Sequence, residues 1–191
     1  MAIGLLGGSF NPPHEGHRLI TEIALRRLRL HQLWWVVTPG NPLKSHDGLA
    51  SLEMRLALSR ALVPDNRVTI TAFERAMPQP ITVATLAVLK RRFPHVRFVW
   101  LMGADNLATI HRWHLWRDIF ATFPIAVVNR PGFHLKALSA PAAHAFARHR
   151  LPEQEAPLLA YKSAPAWVFL TGPLSELSST QLRDQNNVHT A

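Results

Sequence analysis

Six short runs of apolar and β-branched residues punctuate the chain: Ile3–Leu6, Leu33–Thr38, Val68–Ala72, Phe98–Met102, Ile125–Val128 and Trp167–Leu170. Several are apolar without a break, so neither face of the strand they form meets water. Such strands belong to a parallel sheet covered by helices on both sides. The segments between them repeat their apolar positions every three or four residues. Gly16–Leu30 sets Leu19, Ile20, Ile23, Ala24 and Leu28 on one stripe. Ser51–Leu62 repeats Leu52, Leu56, Ala57 and Leu58 behind a serine cap and Glu53. Thr82–Phe93 turns Val83, Leu86, Ala87 and Leu89 inward and stops at Pro94. The alternation of strand and helix predicts an α/β fold built on an open, doubly wound parallel sheet. The stretch His134–Ala166, alanine-rich and with four prolines, predicts one helix and a long loop inserted in a single domain of 191 residues.

Composition narrows the choices. A chain of 191 residues that is 48% hydrophobic buries a sizeable core. It has no cysteine, which excludes disulfides, thiolate metal sites, iron–sulfur clusters and cysteine nucleophiles. No apolar run reaches the ~18–20 residues of a membrane span. The start, Met1-Ala2-Ile3-Gly4, carries no basic leader, so the expectation is a cytoplasmic protein without a membrane partner. The net charge is +9, and between Ala84 and Arg150 ten basic residues face only Asp105 and Asp118. Such a bias fits an anionic partner, nucleic acid or a phosphorylated small molecule, or simply a solvated basic surface. Oligomeric state stays open, a homo-oligomer included.

The richest segment joins the first strand to the first helix: Gly7-Gly8-Ser9-Phe10-Asn11-Pro12-Pro13-His14-Glu15-Gly16-His17. Glycines let a backbone approach a ligand, and the helix N-terminus that follows offers unpaired N–H groups to an anion. His14 and His17, three apart, bring their rings to one side, where two imidazoles can hydrogen-bond phosphate oxygens or accept a proton near neutral pH. The segment is neither a Walker loop nor a dinucleotide fingerprint, and a metal would lack a third ligand. The plain alternative is a glycine turn with two surface histidines. Near the other end, Ser178-Ser179-Thr180 opens a helix with hydroxyls and N–H groups, and Arg183 follows one turn later. Taken alone it is an ordinary cap.

The first segment resembles the GG-S/T-F-D-P-x-H-x-G-H signature of the HxGH nucleotidyltransferases, most closely the nicotinate-nucleotide adenylyltransferase family. Leu177-Ser178-Ser179-Thr180-Gln181-Leu182-Arg183 is similar to that family's I-S-S-T-x-I-R motif. The resemblance implies that His14 and His17 face the phosphates of ATP, together with Gly8, Ser9, Phe10, Ser178, Ser179, Thr180 and Arg183. Pro39-Gly40-Asn41-Pro42-Leu43-Lys44 is similar to a proline-rich loop whose lysine faces phosphate, which makes Lys44 a candidate; a solvated loop lysine is the bland reading. Gly103-Ala104-Asp105 matches a G-x-D whose aspartate meets the adenosine ribose, although an aspartate after a strand is more often a helix cap. Ile81-Thr82-Val83-Ala84-Thr85-Leu86 aligns with Y-T-x-D-T-L, which implies a nicotinate carboxylate held at Thr82 and Val83. Trp113-His114-Leu115-Trp116 resembles a segment whose aromatic ring stacks on the pyridine; the resemblance favours Trp116 over Trp113, and core packing is the competing reading. The chain departs from the family at Asn11, Ile81 and Ala84. The stretch 134–166 is unmatched, and only Asp184–Ala191 follow the arginine, a tail that reads as poorly ordered.

The resemblance implies transfer of AMP from ATP to nicotinate mononucleotide, with magnesium arriving on the ATP because the motif loops hold no carboxylate cluster. The catalytic groups it implies are His14, His17, Lys44 and Arg183. Relatives specific for nicotinamide mononucleotide or phosphopantetheine are the in-family alternatives, and His14 argues against the latter, which carry threonine there. A basic nucleic-acid-binding protein is the alternative from another class, but no RNP, KH or helix-turn-helix pattern supports it.

Overall fold

A computed structural model describes residues 1–40, 48–78 and 80–172. Among the described residues seven strands form one sheet: β1 (Ala2–Gly8), β2 (Gln32–Val37), β3 (Val68–Thr71), β4 (Arg97–Gly103), β5 (Ile125–Val128), β6 (Arg150–Leu151) and β7 (Trp167–Leu170). Every pairing is parallel, in the order β3-β2-β1-β4-β5-β7-β6. The α-helices are α1 (Glu15–Arg27), α2 (Leu52–Leu62), α3 (Thr82–Arg92), α4 (Ala104–Thr109), α5 (Trp116–Thr122), α6 (His134–Leu138) and α7 (Pro141–Ala145). The expected open, doubly wound sheet is what forms.

Alternating side chains of each central strand feed two cores. Leu6, Val99, Leu101, Ala126 and Leu170 pack with Ile20, Ile23, Ala24 and Leu28 of α1 on one face. Ile3, Leu5, Trp100, Met102, Ile125 and Phe169 pack with Leu86 and Leu89 of α3 and with Ile119 and Phe120 of α5 on the other. Burial on both faces explains the unbroken apolar runs of the sequence. The edges are short strands of four and two residues, β3 and β6, which limits unpaired backbone.

Three expectations need correction. Helix α2 packs Leu52 and Leu56 against the core as expected but buries Arg55 and Ser59 most deeply, and it leaves Ala57 and Leu58 exposed, Leu58 by 42%. In α3 the inward set is Thr85, Leu86 and Leu89, while Ala87 is exposed. The stretch His134–Ala166 is more structured than one helix and a loop: it contains α6, α7, the edge strand β6 and two 3-10 helices at Ala147–His149 and Glu153–Tyr161. The second of these buries Ala156, Leu159 and Ala160 against the sheet.

Candidate functional site

Strand order reverses between β1 and β4, whose carboxyl ends, Gly8 and Gly103, stand on adjacent strands. In open α/β sheets ligands bind outside the strand ends at such a switch point. The chain leaves β1 through Ser9 and Phe10. Phe10 has φ 48°, the left-handed region that costs a non-glycine residue about 1 kcal/mol or more. Its ring offsets that cost: it is 1% exposed, stacked on Trp35 at 4.6 Å and tilted against His17 at 4.7 Å. Phe10 therefore offers a ligand its backbone, not its ring. Ser9 is exposed.

His14 is the N-cap of α1, with extended backbone. Its Nδ1 accepts from the Gly16 N–H at 3.1 Å, and its own N–H donates to Nδ1 of His17 at 3.2 Å. The two histidines thus form a reciprocal capping box, a role usually taken by Ser or Thr with Glu or Gln. An Nδ1 that accepts a hydrogen bond carries no proton, so each neutral ring keeps its proton on Nε2 as a donor. The rings lie 3.9 Å apart. Burial, aided by the nearby Arg130 charge, holds His14 down to about 4. Burial, then the charges of His14 and Arg130, hold His17 down to about 3 against the hydrogen bond from His14. Proton uptake near neutral pH, one of the two roles open in the sequence, is thereby disfavoured. Donation from Nε2 is not. Behind them the indole of Trp35 donates to Thr21 Oγ1 at 2.8 Å, and that hydroxyl donates to the His17 carbonyl at 2.9 Å.

Across the switch point, Gly103 caps α4 and Asp105 lies in its first turn without capping it. Asp105 Oδ2 pairs with Arg130 at 3.4 Å, while Oδ1 is buried with no hydrogen-bond partner among the described residues. A Cβ at Gly103 would collide with the Asp105 carboxylate and stand 2.9 Å from Arg130 Cδ, so glycine is what lets both side chains occupy the strand end. Arg130 was not singled out from sequence. Its position two residues beyond β5, in Asn129-Arg130-Pro131-Gly132, was the available signal.

The loop after β1 is tied to the loop after β2. Arg55, 1% exposed, donates to the carbonyls of Ser9 and Thr38 at 2.7 Å each, Ala50 at 2.9 Å and Pro39 at 3.2 Å. Asn11 donates to the Gly48 carbonyl at 2.8 Å and accepts from the Ala50 N–H at 3.1 Å. Thr38 also bonds Glu74, whose carboxyl accepts from Thr85 at 2.6 Å; burial pushes that carboxyl above its ordinary range.

On the far side of this network, Thr82 and Val83 open the eleven-residue α3, whose first turn holds no acidic residue and no side-chain cap. Trp116 is engaged in packing: it meets Phe120 and Phe146 edge-on, and the Arg117 guanidinium lies 4.4 Å from its ring. Trp113, half-buried, packs against the same apolar core as Trp116 but has no aromatic or cationic ring contact among the described residues. Lys44, Ser178, Ser179, Thr180, Arg183 and the 184–191 tail lie outside the described residues. Among the described residues no three His, Cys, Asp or Glu side chains converge as a metal-binding group, and no helix is long and apolar enough to cross a membrane.

An all-parallel, doubly wound sheet with a helix N-terminus and imidazole donors at its switch point has the architecture of the nucleotide-binding α/β proteins. The chain belongs to the cytidylyltransferase-like family, whose model matches residues 5–185. Its relatives carry the name "probable nicotinate-nucleotide adenylyltransferase". The one from Agrobacterium fabrum is 58% identical over 186 residues, covering 97% of this chain and 100% of the relative. That from Brucella suis is 55% identical over 183 residues, covering 96% and 94%. In fold, the chain is similar to the Plasmodium falciparum nicotinic acid mononucleotide adenylyltransferase solved with NaAD, with TM-score 0.73 at 17% identity, covering 99% of this chain and 89% of that one.

Proposed function

We infer that the chain transfers the adenylyl group of ATP to nicotinate mononucleotide, giving nicotinate adenine dinucleotide and pyrophosphate, a step of NAD synthesis. One observation carries the reading: two neutral histidines, locked as Nε2–H donors by their own capping box, at the helix N-terminus beside the β1–β4 switch point. The names of the 58% identical relatives support the same reaction.

The chemistry is an in-line displacement. A 5′-phosphate oxygen of the mononucleotide forms a bond to the α-phosphorus of ATP, and the bond from that phosphorus to the bridging oxygen breaks. The electron pair leaves with pyrophosphate. The nucleophile is already an oxyanion, so the protein aligns it and stabilises charge on the α-phosphate and leaving group. His14 and His17 do so through Nε2–H, with the backbone around Gly8, Ser9 and Phe10. Lys44, Ser178, Ser179, Thr180 and Arg183 join them on the strength of their motifs. Asp105 takes a ribose hydroxyl on its unpaired Oδ1, beside Gly103, because a buried acceptor without a donor is costly until a ligand supplies one. Magnesium enters as part of the MgATP substrate.

Nicotinate mononucleotide places its carboxylate at the N–H groups of Thr82 and Val83 and the Thr82 hydroxyl. Its pyridine ring lies against Trp113, the tryptophan whose ring is not taken up by Phe120, Phe146 and Arg117. An amide in that place would set its own NH₂ against donors. The reaction consumes ATP and fits a cytoplasmic protein with small-molecule substrates. Pyrophosphate release with each mononucleotide tests the assignment. The acid is expected to exceed the amide in kcat/KM, by up to roughly 10⁴, and Thr82→Val is expected to narrow the gap by lowering activity on the acid. Equal efficiencies, or a preference for the amide, would leave only the ATP half of the reading.

A further inference from the structure

We propose that Arg55 is a positioning residue for adenylyl transfer: by holding the Ser9 carbonyl it fixes the peptide that aims Phe10, and through Phe10 it sets the ring of His17 and its partner His14. The role in transfer rests on the functional reading above; the effect on the histidines does not.

Arg55 is an unusual residue to bury. It is 1% exposed, and among the described residues no carboxylate lies within ion-pair distance. A guanidinium taken from water without an ion-pair partner in contact is costly, and a well-packed apolar side chain serves a purely structural site as well or better. Burial lowers its pKa from the ordinary arginine value, and the charge of Glu53 opposes that only in part. What the cation gains is four carbonyls from three separate segments, Ser9, Thr38 with Pro39, and Ala50. These carbonyls stand beyond the ends of β1 and β2, where the ladder no longer satisfies them. Only a planar fork of five N–H donors reaches them all.

The geometry beyond Ser9 gives the contact its consequence. The carbonyl that Arg55 grips belongs to the peptide entering Phe10, whose φ of 48° is sparsely populated and survives only where its surroundings over-determine it. The Phe10 ring is stacked on Trp35 and tilted against His17. A rotation of the 9–10 peptide therefore moves the surface on which His17 rests, and with it the 3.2 Å bond to the His14 N–H. Asn11 braces the same loop through Gly48 and Ala50. An aspartate there would set an acceptor against the Gly48 carbonyl, so the asparagine that departs from the family pattern supplies a donor this loop uses.

The test compares wild type with Arg55→Lys, whose single ammonium cannot bridge four carbonyls, and with Arg55→Gln, which removes the buried charge, so that the result does not hang on one variant folding. Pyrophosphate release is measured at saturating substrates on protein whose folded fraction is set by circular dichroism. We expect kcat to fall at least about 30-fold, in line with the roughly 10²-fold cost of misplacement near 1 Å, with KM for both substrates within about threefold. Imidazole ¹H–¹⁵N spectra are recorded on the same samples. In wild type both histidines are expected as Nε2–H tautomers that stay neutral well below the ordinary histidine range. In the variants their signals shift and titrate closer to 6.5, the ordinary value. Unchanged imidazole signals in a folded variant overturn the proposal whatever the substrate is. A folded variant with kcat within about threefold of an active wild type overturns it too. An inactive wild type whose variants still lose the tautomer signature would instead refute the assigned reaction and leave the positioning role standing.

Discussion

The paired histidines make the free protein sensitive to mild acid, and the size of the effect follows from their geometry. Protonating either ring at Nδ1 breaks its bond to a backbone N–H and sets a positive charge beside the other ring, 3.9 Å away, with Arg130 near both. The folded values of about 4 for His14 and about 3 for His17 lie below the 6.5 of an unperturbed histidine. Between those limits the unfolded chain binds more protons than the folded one. The stability that neutral histidines provide is thus complete above about pH 6.5 and falls as pH drops toward the folded values. At about pH 5 each histidine accounts for a loss of about 2 kcal/mol, and the pair about 4 kcal/mol, out of the 5–15 kcal/mol typical of a folded protein. Urea unfolding near pH 7.5 and near pH 5 measures it. The reference is the double variant His14→Asn, His17→Asn, in which an amide oxygen takes the place of each Nδ1 as acceptor without titrating. Glu74, whose carboxyl is pushed up by burial, gains stability as pH falls, but it does so equally in both proteins and cancels in the difference. Wild type is expected to lose about 4 kcal/mol more than the double variant on acidification. Equal losses would refute the claim that both rings are held neutral by the fold.

Three further outcomes are expected. His17→Ala should lower kcat by about 10²–10³, as removal of one donor to developing charge does in other enzymes; a rate within about threefold of wild type would remove His17 from the reacting centre. Asp105→Ala should reduce kcat/KM for ATP by about 10-fold or more, and much less for 2′,3′-dideoxy-ATP, since a hydrogen bond to a charged acceptor contributes about 1.5–3 kcal/mol; equal losses on both nucleotides would show that Asp105 does not read the ribose. Trp113→Ala should raise KM for the mononucleotide and cost less stability than Trp116→Ala, which strips the contacts to Phe120 and Phe146 and should cost about 3 kcal/mol or more; the reverse pattern, seen by kinetics and thermal melts, would exchange the two tryptophans.

The fold was legible because its strands are buried on both faces and announce themselves as apolar runs; Ile125–Val128 and Trp167–Leu170 match residue for residue. Helix α2 shows where the reasoning fails. Leu52, Leu56 and Leu62 do pack on the core, yet the most buried positions are Arg55 and Ser59, because the carbonyls beyond β1 and β2 need donors there. Periodicity assumes that burial is apolar, and at a functional edge it is not. In 134–166 the elements are too short to show a period: two helices of five residues, a strand of two and 3-10 turns stabilised by packing on the sheet. The motif histidines were found at once, but not their state. A spacing of three places the rings together; it does not show that each Nδ1 is occupied by a backbone N–H and that both rings are therefore neutral donors.

That neutrality changes how the charge of the chain bears on its chemistry. Of the ten basic residues between Ala84 and Arg150, nine are exposed, and only Arg130 is drawn into the site, where it faces Asp105 and depresses both histidines. The positive surplus is a solvated surface, able to attract anionic substrates over a Debye length and screened by salt. In the proposed reaction His14 and His17 act differently. A fixed N–H dipole in a dry, preorganised site needs no counter-ion and does not reorganise as charge moves from the α-phosphate to pyrophosphate. It also leaves the product free to depart, since two imidazolium ions would hold pyrophosphate more tightly than two imidazoles. The capping box therefore has a second consequence besides starting helix α1: by spending both Nδ1 lone pairs on the backbone it keeps the histidines uncharged in the free protein, so that, in the proposed transfer, their contribution falls on the transition state more than on the bound ions.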